Sequence, residues 1–283
     1  MNKTHGRNGC PRLITSRSNP LIVSASSLSE KKYRDRTGCF AFEGIKLYKE
    51  AVASKVCLEH IFVREDVYDR FSDLLFSDIS LVVSDFVYNK MSEEKSPEGI
   101  LCVAKYIDFL HKKVKIYDNV SNECGAPDRD KSFFIVSQVR DPGNLGTIIR
   151  NANALGIDEL IISADCADIY NPRTVRAAMG ALFRQKITVC CDMYSAVEVL
   201  RAWGYHVMAA ALSPSSVSIT DIDVSSRTCF LVGNEGHGLD KELISACSGS
   251  VIIPMQNGSE SLNAAAASAI LMWESAKKHG FND

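Results

Sequence analysis

Three glycine-bearing polar stretches follow apolar runs in this 283-residue chain, and they hold the side chains best placed to do chemistry. The first is DPGNLGTIIR at 141–150. Its proline and glycine shape a tight turn, Asn144 is expected to cap the following helix, and Gly146 admits close backbone approach. Arg150 lies further along that helix and is the one strong cation of the stretch. The second is LVGNEGHGL at 231–239, where Gly233, Gly236 and Gly238 argue for a backbone folded closely around something. Glu235 sits inside this glycine turn with no packing reason to be there, whereas a lone histidine such as His237 has many reasons and is not counted as catalytic. The third is IPMQNGSESLN at 253–263, in which Ser261 and Asn263 stand where a helix start wants polar caps. The alanines at 264–267 that follow permit tight helix packing, including across a subunit interface.

Familiar nucleotide loops are set aside by residue order. No Gly-Lys-Ser/Thr follows the glycines, so the turn is not a phosphate-gripping Walker loop. The G-x-G-x-x-G order of a dinucleotide fingerprint is also missing, which disfavours an oxidoreductase. The six histidines are dispersed and no Cys-x-x-Cys occurs, so no metal site is expected.

The elements that must position these stretches read as alternating strands and helices. Apolar runs at 133–139, 159–163, 187–191, 205–211, 229–233 and 251–253 have strand character. Helical patterns fall between them at 145–155, 172–182, 195–203, 241–247 and 262–278. Continuous apolar strands separated by helices indicate a parallel sheet covered on both faces. In the first of these helices Leu145, Ile148, Ile149, Ala152 and Leu155 make one stripe, leaving Arg150 on its flank.

The N-terminal part is organised differently. Residues 12–106 predict a small α/β domain, with a helix over 20–33, a strand over 39–43, a helix over 45–53, and strands at 60–63, 81–83 and 100–105. Residues 1–11 are expected to be a flexible terminus. The stretch 107–131, polar and rich in turn formers, is expected to be a linker before a second domain at 132–283.

Charge separates the same two regions. The formal net charge is −2, yet residues 1–55 hold eleven Lys/Arg against four acids, giving +7 there and −9 elsewhere. Such a segment suits a polyanion, because cations displace condensed counterions from phosphates. No run approaches the roughly 20 apolar residues of a membrane span. The N-terminus lacks the apolar stretch of a secretory signal, and the ten cysteines are scattered. A cytoplasmic protein with reduced, mostly buried thiols is therefore expected.

In order and spacing the three stretches resemble the signature motifs of the SpoU (TrmH-like) branch of the SPOUT RNA methyltransferases. The residues carrying the resemblance are Asn144-Leu-Gly146-x-x-x-Arg150, Gly233-Asn-Glu-Gly-x-Gly-Leu239, and Ile253-Pro-Met255 with Ser261-Leu-Asn263. ITSRSNPLI and EKKYRDRTGCFAFEGIKLYKEAV are similar to the ribosomal-protein-like RNA-binding domain that many members carry. The resemblance implies an α/β trefoil-knot catalytic domain preceded by a small α/β RNA-binding domain, and a homodimer with the last helix at its interface. It implies S-adenosylmethionine as cofactor, held by Gly233, Asn234, Gly236, Ile253, Met255 and Leu262. It implies methyl transfer to a ribose 2′-hydroxyl in RNA, with Arg150, Asn144, Glu235, Ser261 and Asn263 as catalytic residues. Arg150 is left two roles, base or electrostatic stabiliser, since a guanidinium ordinarily stays charged.

Ribosomal 23S RNA is the expected substrate, with tRNA as the alternative and a catalytically inactive RNA-binding relative as a third reading. RNA contacts are expected from Arg17, Lys31, Lys32, Arg34, Lys46, Arg173 and Arg176. At Ala178 members often carry serine, so a hydroxyl that could touch RNA is missing here.

Overall fold

The structure, a computed structural model, describes residues 13–107, 131–234, 236–256 and 261–279. Glu235, residues 1–12 and the stretch 108–130 of the expected linker lie outside the described residues. Contacts divide the chain into two compact units: Met1–Ile107 with Tyr170–Phe183, and Asp108–Ile169 with Arg184–Asp283. The segment Tyr170–Phe183, read from the sequence as part of 132–283, thus packs with the first unit.

That first unit is built on a four-stranded sheet. Its strands are β1 (Cys39–Glu43), β2 (Leu58–Arg64), β3 (Ser80–Val83) and β4 (Ile100–Lys105), in the order β1-β4-β2-β3. β4 runs antiparallel to both neighbours, and β3 is parallel to β2. Helices α1 (Pro20–Ser27), α2 (Lys31–Thr37), α3 (Ile45–Ala53), α4 (Tyr68–Phe71) and α5 (Asp85–Met91) accompany it. One buried cluster joins Ile22 and Leu28 to Phe62, Val83, Val87 and Tyr88.

The single helix expected over 20–33 is in fact two, α1 and α2. After Ser27 the chain turns, and the hydroxyls of Ser26, Ser27 and Ser29 bond back to the carbonyls of Ile22, Ser24 and Ser26. Serines that serve their own backbone compete with helix continuation. The freed carbonyls of Leu28 and Ser29 are both taken by Arg34 Nη1, each at 2.7 Å.

The second unit holds a seven-stranded sheet. In chain order its strands are β5 (Phe133–Val136), β6 (Glu159–Ser163), β7 (Ile187–Cys190), β8 (His206–Ala210), β9 (Val217–Ser218), β10 (Thr228–Val232) and β11 (Gly249–Ile252). They lie in the order β7-β6-β5-β10-β8-β11-β9, and every pairing is parallel. The helices are α6 (Pro142–Ala154), α8 (Met193–Ala202), α9 (Lys241–Ala246) and α10 (Ala264–His279); α7 (Pro172–Ala178) belongs to the first unit. The core gathers Ile135, Ile161, Val197, Leu200, Val207 and Leu231. The two-residue strand β9 has too short an apolar run to show in the sequence.

The strand order carries a functional consequence. From β5 the chain proceeds outward through β6 to β7, then crosses to the other side, where β10 has inserted beside β5. The sheet therefore changes direction between β5 and β10, and it is at the carboxyl ends beside such a switch that open parallel sheets bind ligands. No described helix is long and apolar enough to cross a membrane. The eight described cysteines are free and four of them are buried, fewer than expected. Burial pushes the Cys102, Cys229 and Cys247 thiols well above their ordinary range.

Candidate active site

The first and second motifs leave the sheet from adjacent strands, β5 and β10. After β5 the backbone turns at Gln138, whose φ of 60° is left-handed and uncommon for a non-glycine residue. Two bonds hold this turn. Gln138 N donates to Ser163 Oγ at 2.8 Å, and Gln138 O accepts from Asn234 Nδ2 at 2.8 Å. Asn234 thus clasps the first motif's loop to the second's.

Its other side-chain atom shapes the glycine turn from within. Asn234 Oδ1 accepts from the backbone N–H of Gly236 at 2.7 Å and of His237 at 3.2 Å. Asn234 and Gly238 also exchange backbone bonds of 3.2 and 3.0 Å. The turn closes so tightly that a Cβ on Gly233 would sit 2.7 Å from the Gly238 carbonyl and from Leu239. Gly238, at φ 69°, makes the left-handed step that returns the chain. What Asn234 contributes directly is the shape of the turn.

Helix α6 starts differently from the expected manner. Asp141 is its cap, accepting from Asn144 N at 2.8 Å, with Pro142 in the first turn. Asn144 is therefore inside the helix, and its side chain is released for another partner. That partner is Asn263, whose Nδ2 donates to Asn144 Oδ1 at 2.9 Å. Asn263 Oδ1 meanwhile accepts from Ala265 N and Ala266 N, capping α10 as the sequence suggested. One residue so caps the last helix and grips the first motif. A further bond from Asn151 Nδ2 to Ala265 O continues the seam between α6 and α10.

Of the remaining candidates, Ile253 and Met255 follow β11 at the same carboxyl edge. Ile253 is half-buried just past β11, while Met255 and Leu262 are each 39% exposed. Ser261 is exposed beside Leu262. Arg150 is exposed on α6, and among the described residues it has no hydrogen-bond or ion-pair partner. The structure thus joins Asn144 to Asn263 and Gly236 to Asn234, but it does not bring Arg150 against any of them. Glu235 lies outside the described residues. Among those residues no group of three metal-ligating side chains occurs.

Two contributors escaped sequence reasoning. Gln138 acts through its backbone, which no residue type announces. The loop 211–216 follows β8, between β10 and β11, and so opens on the same edge. Its Ser213 and Ser216 hydroxyls bond Ser250 of β11 at 2.8 and 2.9 Å, and Leu212 is 88% exposed. The SPSS turn after an apolar run was the available signal.

In the first unit, the cations expected to contact RNA divide into exposed and internal. Arg17, Lys31, Lys32, Lys46, Arg173 and Arg176 are exposed. Lys31 pairs with Asp35, Lys32 with Glu30, and Arg176 with Glu94. Arg34 is a correction: it is 1% exposed, with its guanidinium on the Leu28 and Ser29 carbonyls, so it braces the α1–α2 turn and does not face RNA. Ala178 is also fully buried, so a serine there would not meet solvent. Glu43, half-buried, accepts from Ser92 Oγ, Glu93 N and Tyr88 Oη, and burial holds its carboxyl above the usual range.

Comparison with known proteins bears on both units. Residues 131–273 match the SpoU rRNA Methylase family, and residues 19–102 match the MRM3-like substrate binding domain. The chain is 30% identical to the 23S rRNA (guanosine(2553)-2′-O)-methyltransferase RlmP of Bacillus subtilis, over 92% of this chain and 97% of that one. It is 34% identical to the 23S rRNA (uridine(2479)-2′-O)-methyltransferase of Streptomyces viridochromogenes, over 96% and 94%. Among solved structures, an AdoMet-bound rRNA methyltransferase from Sinorhizobium meliloti superposes with a TM-score of 0.79 at 28% identity, covering 96% and 99%.

Proposed function

The chain belongs to the SpoU rRNA methylase family, and from that premise we propose that it transfers a methyl group from S-adenosylmethionine to a ribose 2′-hydroxyl of 23S rRNA. The observation that carries this reading is the Asn144–Asn263 hydrogen bond, which ties motifs 119 positions apart into one site. A tRNA substrate is the second reading, since another relative, from Synechocystis, is named as a tRNA/rRNA methyltransferase.

The residues present fit the cofactor. Gly233 keeps the backbone turn beside it closely folded, since a Cβ there would meet the Gly238 carbonyl, and Ile253, Met255 and Leu262 offer apolar surface for an adenine ring and a methyl group. When bound, S-adenosylmethionine supplies an electrophilic methyl on a positively charged sulfur. Every other requirement falls on the chain. The 2′-hydroxyl is a weak nucleophile that must be oriented for in-line attack, and we assign that orientation to Asn144, Ser261 and Asn263. Arg150, exposed on α6, is assigned to the phosphate beside the target ribose and to the negative charge growing on the 2′-oxygen. Glu235 is assigned to orienting Arg150 or the glycine turn.

The first unit, in this reading, captures the RNA through Arg17, Lys31, Lys32, Lys46, Arg173 and Arg176. Domain limits of 12–106 and 132–283, the latter lending Tyr170–Phe183 to the first unit, a trefoil knot at the second and third motifs, and a cytoplasmic location complete the proposal. A homodimer is supported by Ala266, Ile270 and Trp273, spaced four and three residues apart and exposed along α10.

The two relatives named above modify different nucleosides, so the family does not choose the target. Mapping 2′-O-methyl groups in 23S rRNA and tRNA after gene disruption does. Loss of one 23S site is expected. Loss only from tRNA would move the substrate, and an unchanged map alongside no transfer by purified protein to either RNA would overturn the activity.

A further inference from the structure

The first unit carries an exposed aromatic ring already half of a stack. Phe86, in the first turn of α5, is 60% exposed despite its size. The Arg17 guanidinium lies over it, with its central carbon 3.6 Å from the ring centroid. This stack is built, since both partners are held from their backbones. The lead-in at 13–18 pairs with the edge of the sheet through an Ile14–Val83 bridge, with Ile14 N donating to Val82 O and Ser84 N to Ile14 O. Arg17 Nε then donates to Phe86 O at 2.9 Å, and Lys90 Nζ donates to Arg17 O at 3.2 Å. Asn19 fixes the far end of the lead-in by capping α1 through Leu21 N.

The charges around the ring are mixed and mainly positive. Arg17 and Lys90 flank it. Asp85, its chain neighbour, is approached by Arg64 Nη1 at 3.6 Å and bonded by Asn89. A solvent-facing ring with a guanidinium on it gains little by packing, because such cation–π pairs are weak in water. A planar, polyanion-linked group changes that: its ring can lie on the phenyl face that Arg17 leaves uncovered while Arg17 and Lys90 meet its phosphates. A nucleobase in single-stranded RNA has both properties, and unpaired bases are the ones proteins stack. A purely apolar protein partner would have to desolvate two cations.

We propose that Phe86 and Arg17 form a stacking platform for an unpaired base of the substrate RNA. This site rests on the RNA-methylating reading of the chain and adds a chemical demand to it, namely a single-stranded or splayed-out nucleotide beside the modified helix.

Fluorescence anisotropy on the full-length protein tests it, with a labelled oligo(A) of about twelve nucleotides and a blunt RNA duplex of equal length as probes. Phe86→Ala should weaken oligo(A) binding about tenfold, leave the duplex within about twofold, and leave the salt dependence unaltered. Phe86→Tyr should restore binding to within about twofold of the parent. Phe86→Leu keeps apolar bulk without a ring and should behave as alanine, which keeps the test open if the alanine variant folds poorly. Arg17→Ala should weaken oligo(A) and also lower the salt slope by about one. Equal loss of both probes with Phe86→Leu, or no loss of oligo(A), would overturn the platform while the parent's binding sustains the RNA reading. A parent protein that binds neither probe and methylates no RNA would overturn both.

Discussion

The two sheets of this protein meet their ligand chemistry by different means. In the seven-stranded unit the site consists of turns, and the side chains that matter most, Asn234 and Asn263, spend their hydrogen bonds on shaping backbone. In the four-stranded unit the surface proposed to meet RNA consists of side chains standing in solvent, Arg17, Lys31, Lys32 and Lys46 among them. The difference follows from what each must hold. A small cofactor with an apolar ring and a reactive methyl needs a cavity of fixed shape, which only a constrained backbone supplies. A long polyanion needs charge, and long flexible cations on a rigid sheet supply it with little demand for shape. Arg34 shows that residue type alone does not decide the class, since it is a cation of the RNA-facing unit used as an internal brace.

The largest expected effect would break the comparison at Arg150, the exposed side chain on α6 to which the proposed function assigns catalysis. Arg150→Ala should cut methyl transfer on the order of a hundred- to a thousandfold, with cofactor affinity measured by calorimetry nearly unchanged. Equal loss of transfer and cofactor binding would place Arg150 with the shaping residues instead. Next comes the brace. Arg34→Met leaves the buried Leu28 carbonyl and the partly buried Ser29 carbonyl without this donor and should cost about 1–3 kcal/mol, read as a lowered midpoint in urea. If stability held and RNA affinity fell, Arg34 would belong to the charged surface after all. Gly233→Ala drives a methyl into the Gly238 carbonyl, and overpacking of that kind costs about 1–3 kcal/mol. Here the sharper readout is cofactor affinity, which should fall further than thermal stability does.

Much of this was legible before any fold was known, for reasons specific to certain residues. The parallel sheet declared itself because β5, β6 and β10 are buried along their whole length and so read as unbroken apolar runs. The three motifs stood out because glycines and amides at strand ends have no packing purpose. What escaped depends on pairings that residue type does not announce. Nothing in SSLSEKKYR announces that Arg34 will take the carbonyls of Leu28 and Ser29 and split one helix into two. Asn144 and Asp141 are equally good caps by residue type, and only the arrival of Asn263 decides that Asn144 is used elsewhere. Segment Tyr170–Phe183 alternates like its neighbours, yet Phe183 and Tyr170 pack on Phe40 of the first unit.

The smallest expected effect tests whether the charged surface is as undemanding of shape as the comparison holds. Lys31 and Lys32 are exposed and each pairs with a nearby acid, Asp35 and Glu30. Exposed pairs of this kind contribute about 0–1 kcal/mol, so replacing both lysines by alanine should move the unfolding midpoint very little. Binding to RNA should respond in a distinct way. Each lysine that neutralises a phosphate adds close to one to the slope of log affinity against log salt, so the double variant should lose up to about two from that slope. The loss should be the same for RNAs of unrelated sequence, because phosphate contacts carry no base information. A loss confined to one sequence would mean that α2 reads shape or bases, and the contrast between a shaped catalytic unit and an unshaped charged one would fail at that helix.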